Sequence, residues 1–339
     1  MPELTVPGTS VPGNSVPGTD QSGPDMSFGA MMQLEPHGPD TFVGAGPLYP
    51  WDGLYGGQVV AQALRAAELT VRNGFAPHSL HAFFLRMGDA REPVRFEVER
   101  LRDGRSFIAR HVVARQSAGA ILNMAASFQA VGEPTMDVQL ARPPSVGPPS
   151  SGTEMSWSPL FELSMVEGSY QSDTGHYVHP SLKVAGARRE ARARAGDAAP
   201  AEVPGATAGD PQYLVKPGHG ARASTWSRML EEMGDSPSLH AAALAFISDS
   251  GPAWLAGALL EATYRPQKPW RPLSLDHTMW FHRPFRADRW LLFEAEASSL
   301  YASRGVAQGR VFDEEGMLVA TIAQEVFLRR PQANDDAAP

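Results

Sequence analysis

The chain has 339 residues and a formal net charge of −8, and it has no basic block that would neutralise phosphates, so we do not expect nucleic acid as a partner. It contains no cysteine, which excludes disulfides, a thiolate nucleophile and a Cys-ligated metal. The sequence contains no run of about 18 apolar residues, so we predict no membrane-spanning helix. At about 150 residues per domain, the length suits two globular units or one unusually large one.

The amino-terminal segment repeats a pentapeptide rich in Pro and Gly that begins at Val6, Val11 and Val16. Such turn-forming residues cannot bury apolar area, so we predict a disordered tail; alternatively, translation begins at Met26 or a later methionine. A second low-complexity stretch covers residues 186–211. The predicted organisation is a disordered tail over 1–30, an N-terminal domain over 31–135, a linker over 136–219 with an insertion over 186–211, a C-terminal domain over 220–331 and a disordered tail over 332–339.

Each predicted domain contains one helix signal. In the first, Gly56-Gly57 opens a run with apolar residues at helical spacing, and Asn73-Gly74 closes it. In the second, Ser236 is a plausible N-cap, Pro237 suits the first helical position and residues 239–247 carry the apolar stripe. Gly251-Pro252 should end or kink that helix.

The strands that follow the helices form an internal repeat. Shifting the sequence by 197 residues aligns residues 84–126 with 281–323 and gives nine identities in 43 positions, among them Phe84 with Phe281 and Phe96 with Phe293. Alternating apolar and polar residues predict antiparallel strands, with hairpin turns at Gly104 and at 313–316. A helix followed by antiparallel strands, twice over, predicts an α+β fold in which each sheet wraps its own helix.

Five strings in these elements are similar to one known family: 56–64 (GGQVVAQAL), 78–86 (HSLHAFFLR), 101–107 (LRDGRSF), 275–285 (LDHTMWFHRPF) and 319–325 (VATIAQE). Together they resemble the acyl-CoA thioesterase II family over roughly residues 31–130 and 220–330. That family has a double hotdog fold, so the resemblance implies two helix-wrapped antiparallel sheets in one chain that form a pseudo-dimer.

The resemblance also implies the chemistry and its residues. Members of the family hydrolyse acyl-coenzyme A to a free acid and coenzyme A, and we expect acyl-CoA as the substrate, with no cofactor and no metal. The family's catalytic set is an Asp on the second helix, a hydroxyl before the Asp-His string and a Gln on the last strand. Asp249, Ser274 and Gln324 match these positions, and the resemblance implies that they activate water for direct attack without a covalent intermediate.

The residues themselves allow plainer interpretations. Asp249 could be a helix-end turn residue, Ser274 a cap, and Gln324 a core amide with satisfied hydrogen bonds. Gly56 and Gly57 are candidate substrate-binding residues, because backbone N–H groups at a helix start can form an oxyanion hole. Alternatively, they only allow the helix to pack closely on the sheet.

Other polar residues of the repeat fit structural roles. His277 and His282 are five residues apart on one strand and face opposite sides, which argues against a shared metal, so we interpret both as structural. The shift of 197 residues aligns Ser127 with Gln324, so we expect one site per chain. Candidates for binding the coenzyme A phosphates are Arg86, Arg105, Arg283 and Arg304.

Two other functions remain open on the sequence. One is an inactive acyl-CoA-binding protein of the same fold, and the other is a hotdog hydratase or dehydratase. The hydratase pattern has Asp and His five residues apart, but here Asp52 is followed at that spacing by Gly57. We expect a homo-oligomer of double-hotdog protomers. We also expect a cytoplasmic location, since the amino terminus lacks a secretory signal and its first basic residue is Arg65.

Overall fold

A computed structural model of the chain describes residues 26–49, 51, 53–132, 136–166, 221–251 and 271–329. The low-complexity insertion 186–211 and the predicted tail 332–339 lie outside the described residues, as does most of the predicted tail 1–30. Within the described residues no helix is long and apolar enough to cross a membrane.

Short-range sequence signals position the helices. Ser27 Oγ accepts a hydrogen bond from Ala30 N at 3.1 Å and caps the first helix, whose Phe28 is fully buried. This helix therefore includes residues that the sequence analysis assigns to the tail 1–30. The α-helices are α1 (Phe28–Met31), α2 (Gly56–Glu68) and α3 (Pro237–Ser248), and a 3-10 turn covers Pro149–Ser151.

Most of the remaining described chain forms antiparallel strands. The predicted hairpin turns are confirmed at Gly104, which joins two strands, and at Gly316, which has a φ of +81°. The strands are β1 (Glu35–Pro36), β2 (Thr41–Gly44), β3 (Phe75–Phe84), β4 (Val94–Asp103), β5 (Phe107–Gln116), β6 (Gly119–Ala130), β7 (Thr153–Glu154), β8 (Phe161–Met165), β9 (Ala221–Met229), β10 (Arg271–Ser274), β11 (Asp276–Phe281), β12 (Leu291–Tyr301), β13 (Arg304–Phe312) and β14 (Leu318–Arg329).

These strands join in one sheet, and the strand order of one half is the mirror image of the strand order of the other half. The order is β1-β2-β4-β5-β6-β3-β11-β14-β13-β12-β9-β8-β7, and β10 also pairs with β14. The halves meet where β3 pairs antiparallel with β11, with Leu80 opposite Met279. The shift of 197 residues carries the first residue of β5, Phe107, onto the first residue of β13, Arg304. The sequence repeat is therefore a repeat of strands.

Strands β7 and β8 fall inside the residues predicted as linker. They extend the second half of the sheet, because β8 pairs with β9 through Phe161 opposite Met229. The division into domains at residues 135 and 220 stays a prediction.

The two longer helices form the centre of the core. Helix α2 packs against β2 to β6, and α3 packs against α2 and β3. A β-carbon on Gly57 would lie 2.3 Å from the backbone oxygen of Phe246, so this glycine is what allows the helices to approach so closely. This contact brings the start of α2 next to the end of α3.

Candidate active site

Asp249 is the C-cap residue of α3, directly after the last helical residue, with φ −68° and ψ −18°. Its side chain is buried, with 5% of the residue exposed. Nearly every side chain of α3 is buried as well, so the helix end cannot turn its cap toward solvent. The carboxylate is therefore held inside the protein.

Ser274 and Gln324 come from neighbouring strands beside that helix end. Ser274 is the last residue of β10 and pairs with Val326 of β14, whereas Thr278 of β11 pairs with Ala323. Four steps along β10 and β11 thus correspond to three steps along β14, and the extra residue forms a β-bulge at the site. The bulge falls between Ser274 and the strand segment that faces Gln324.

The three predicted catalytic side chains meet in one hydrogen-bonded cluster. The Gln324 amide nitrogen donates to Asp249 Oδ1 at 2.6 Å and to Ser274 Oγ at 2.7 Å. The Ser274 hydroxyl donates to the same Asp249 Oδ1 at 3.0 Å. One carboxylate oxygen therefore accepts two hydrogen bonds from neutral groups. Within the described residues no hydrogen bond and no ion pair engages the other oxygen, Oδ2.

The glycines at the start of α2 lie against this cluster. A β-carbon on Gly56 would be 2.6 Å from Asp249 Oδ2 and 2.9 Å from the ring of Phe84. Gly57 instead faces Phe246 of α3 and the ring of Tyr55. Gly56 therefore places the start of α2 next to Asp249, and the first N–H groups of a helix have no partner within the helix itself.

Tyr55 is a residue of this site that the sequence analysis does not single out. It occupies the N-cap position of α2, but its side chain makes no capping hydrogen bond. Its hydroxyl instead donates a hydrogen bond to Phe246 O at 2.6 Å. Burial and the nearby Asp249 raise the pKa of Tyr55 well above its usual value, so the phenol stays protonated. Its ring also packs edge-on against Trp157 at 4.9 Å between centroids. No local pattern indicates these contacts, because the partners are distant in sequence.

His277 lies behind Gln324 and is fully buried. Its Nε2 lies 2.8 Å from Ser248 Oγ, the residue before Asp249. Burial lowers the pKa of His277, so the imidazole is neutral at pH 7. His282, by contrast, lies beside Thr321, with its Nε2 2.8 Å from Oγ1 in an exposed contact.

The equivalent positions of the first half carry different side chains. The C-cap of α2 is Leu69, where α3 has Asp249. Ser127, aligned with Gln324 by the shift of 197 residues, lies with its Oγ 2.8 Å from His78 Nε2. The carboxylate and amide of the cluster are absent from these described positions. Among the candidate phosphate ligands, Arg283 pairs with Asp137 and Arg304 with Glu325.

Known proteins resemble this chain over most of its length. The models of the acyl-CoA thioesterase N-terminal and C-terminal domains match residues 47–129 and 149–328. The chain is 33% identical over 308 residues to human acyl-coenzyme A thioesterase 8, covering 90% of each chain. It is 32% identical over 280 residues to acyl-CoA thioesterase 2 of Haemophilus influenzae, covering 81% of this chain and 87% of that one. The crystal structure of an acyl-CoA thioesterase II from Mycobacterium marinum superposes with a TM-score of 0.66 at 30% identity, over 90% of this chain and 99% of that chain.

These matches define a thioester hydrolase with a hotdog-type α+β fold. The chain belongs to the acyl-CoA thioesterase II family, which confirms the resemblance seen in the sequence. The family does not support the hydratase alternative, whose Asp52 lies outside the described residues.

Proposed function

We propose that this protein hydrolyses acyl-CoA thioesters to a free acid and coenzyme A by water that Asp249 activates. The single observation that carries the proposal is the cluster in which Ser274 and Gln324 hold Oδ1 of the buried Asp249 carboxylate, while no residue in the described part of the chain engages Oδ2. Both donors are neutral, so they orient the carboxylate without cancelling its charge.

The first chemical step uses Asp249 Oδ2, the oxygen that no described residue engages. Water within hydrogen-bond reach of Asp249 Oδ2 gives up a proton to it as the water oxygen attacks the thioester carbonyl carbon. The carbonyl oxygen becomes an oxyanion, and the N–H groups of Gly56 and Gly57 are the donors that stabilise it. No bond forms between the acyl group and the protein.

Collapse of the tetrahedral intermediate completes the reaction. The carbon–sulfur bond breaks, the electron pair leaves with the coenzyme A sulfur, and the proton held by Asp249 is available for the thiolate. Acyl-CoA and water thus become a carboxylic acid and a thiol. No metal or cofactor is needed in this proposal.

We propose the following organisation for the whole chain. Two hotdog units form a double hotdog pseudo-dimer with one site per chain, and the mirrored strand order supports this. Protomers assemble into a homo-oligomer in the cytoplasm and serve fatty acid metabolism. Light scattering of the purified protein measures its mass in solution, and a single-chain mass would contradict the oligomer.

The first test is an acyl-CoA panel from short to long chain, with released thiol followed by a chromogenic reagent. The chain has no cysteine, so the signal comes from coenzyme A alone. We expect turnover by the wild type and a loss of about tenfold or more in Gln324→Ala. Gln308→Ala, on an exposed part of β13, is the matched control and should keep the wild-type rate.

Two other outcomes would support a different function or a different catalytic site. Thermal stabilisation by acyl-CoA without release of thiol would support the binding-protein alternative. Turnover that Gln324→Ala leaves unchanged would keep the thioesterase activity but overturn the proposed site.

A further inference from the structure

The Gln324 amide oxygen needs a hydrogen-bond donor that the three-residue cluster does not supply. Both amide hydrogens are used, one toward Asp249 and one toward Ser274. The amide oxygen Oε1 is buried and, among the described residues, has no hydrogen-bond partner within normal geometry. If the amide rotated by 180°, this oxygen would face the carboxylate. A buried amide oxygen is normally paired, so a donor is expected on the side of Oε1.

His277 lies in the place from which such a donor would come. Thr278 is opposite Ala323 in the pairing of β11 with β14, so one further step places His277 opposite Gln324. Both residues point inward, with exposed fractions of 0% and 1%. The His277 Nδ1 atom is also buried and without a partner within normal geometry in the described residues. Two unpaired atoms, one able to donate and one able to accept, thus belong to facing side chains.

The other ring nitrogen decides which of them carries the proton. His277 Nε2 lies 2.8 Å from Ser248 Oγ, a shorter distance than those from Ser248 Oγ to the other acceptors in reach, Ala245 O at 3.1 Å and Met279 Sδ at 3.4 Å. If the Ser248 hydroxyl donates to Nε2, the neutral ring must carry its hydrogen on Nδ1. The opposite arrangement would point the lone pair of Nδ1 at the amide oxygen and leave both atoms unpaired in the interior.

We propose that His277 is a positioning residue, whose Nδ1–H donates to Gln324 Oε1 and thereby holds the amide hydrogens toward Asp249 and Ser274. Ser248 fixes the required tautomer. This inference rests on the proposed function, because it gives His277 an effect on turnover only through Gln324 and the carboxylate that Gln324 orients. It differs from the purely structural role that the sequence suggests.

Two substitutions distinguish the roles of the two ring nitrogens of His277. Asn carries its side-chain nitrogen near the place of Nδ1, so His277→Asn keeps a donor for Gln324. Gln carries its nitrogen near the place of Nε2, so His277→Gln keeps a group for Ser248 and leaves Gln324 Oε1 without a donor. We expect His277→Gln to lower kcat about ten- to hundredfold with KM within about twofold, since the misplacement affects orientation and not substrate binding. His277→Asn should recover most of that loss. Both variants should show the wild-type melting temperature to within a few degrees.

A double-mutant cycle tests whether the effect passes through Gln324. Added to Gln324→Ala, His277→Gln should cause no further loss of kcat, because the amide it positions is gone. Equal losses in both backgrounds, equal losses in His277→Asn and His277→Gln, or a wild-type rate in His277→Gln would each overturn the inference. If Gln324→Ala alone keeps the wild-type rate, the proposed site fails as well. If Gln324→Ala is impaired while His277→Gln is normal, only the role of His277 fails.

Discussion

An alanine at position 56 tests whether hydrolysis depends on the position of the Asp249 carboxylate. Gly56 is the first residue of α2 and its φ is not positive, so its backbone suits alanine. The new β-carbon would lie 2.6 Å from Asp249 Oδ2, whereas ordinary contacts begin at 3.4 Å. The carboxylate must therefore move by roughly 0.8 Å, the difference between these two distances.

That displacement acts on the two hydrogen bonds that orient Asp249. They measure 2.6 Å from Gln324 and 3.0 Å from Ser274, and N–H···O bonds weaken beyond about 3.2 Å. A misplacement of about 1 Å in a catalytic group lowers a rate by roughly 100-fold. We therefore expect Gly56→Ala to lower kcat by about two orders of magnitude. The same β-carbon would lie 2.9 Å from the ring of Phe84, so overpacking should also lower the free energy of unfolding by about 1–3 kcal/mol.

The assay measures kcat and KM on one acyl-CoA ester together with a thermal melt. Gly309→Ala is the matched control, since a β-carbon there would meet its nearest atom at an ordinary 3.4 Å. We expect this control to keep the wild-type rate. A Gly56→Ala variant that is folded and fully active would refute the claim that the carboxylate position matters.

Substitutions at Gly57 and Asp288 test what stabilises the fold. Gly57→Ala should lower the free energy of unfolding by about 1–3 kcal/mol or more by overpacking, because its β-carbon would lie 2.3 Å from the Phe246 carbonyl oxygen; a urea titration with an unchanged midpoint would contradict this. The Arg286 side chain, which donates to both carboxylate oxygens of Asp288, and the Met233 N–H lower the pKa of Asp288 from 3.8 to about 2. A carboxyl group whose pKa is lower in the folded than in the unfolded protein stabilises the fold at pH values above its unfolded-state pKa. This stabilisation is lost as the pH falls through its folded-state pKa. Asp288→Asn should therefore be less stable than the wild type at pH 7, by about 2 kcal/mol, and the difference should narrow between pH 4 and pH 2; a difference that stays constant with pH would refute it.

Local signals in the sequence account for where the helices begin but not for where α2 ends. Ser236 caps α3 through a 3.4 Å hydrogen bond from Leu239 N, as its position before Pro237 predicts. The apolar run of α2 predicts a helix up to Asn73, but the helix ends at Glu68. There the Thr70 carbonyl accepts a hydrogen bond from the buried Arg110 side chain at 3.0 Å. This partner lies 40 residues away in the sequence, so periodicity cannot indicate the contact.

The sequence likewise predicts some features of the candidate site and not others. Asp249, Ser274 and Gln324 can be named from the family resemblance, while their separate sequence patterns suit ordinary structural roles equally well. The position of His277 opposite Gln324 follows from the register of β11 on β14 and from the bulge after Ser274. Strand register depends on pairing between distant segments. The arrangement therefore becomes visible only in the folded chain.

The most direct test of the proposed mechanism is the kcat of Asp249→Asn at saturating acyl-CoA. The amide oxygen of Asn can still accept the hydrogen bonds of Ser274 and Gln324, so the fold should be preserved while the base is lost. We expect kcat to fall by about 10²- to 10⁴-fold with an unchanged melting temperature. Asp313→Asn, in the turn between β13 and β14, is the matched control and should keep the wild-type rate. A folded Asp249→Asn enzyme that releases coenzyme A at the wild-type rate would contradict the proposal that this carboxylate activates water.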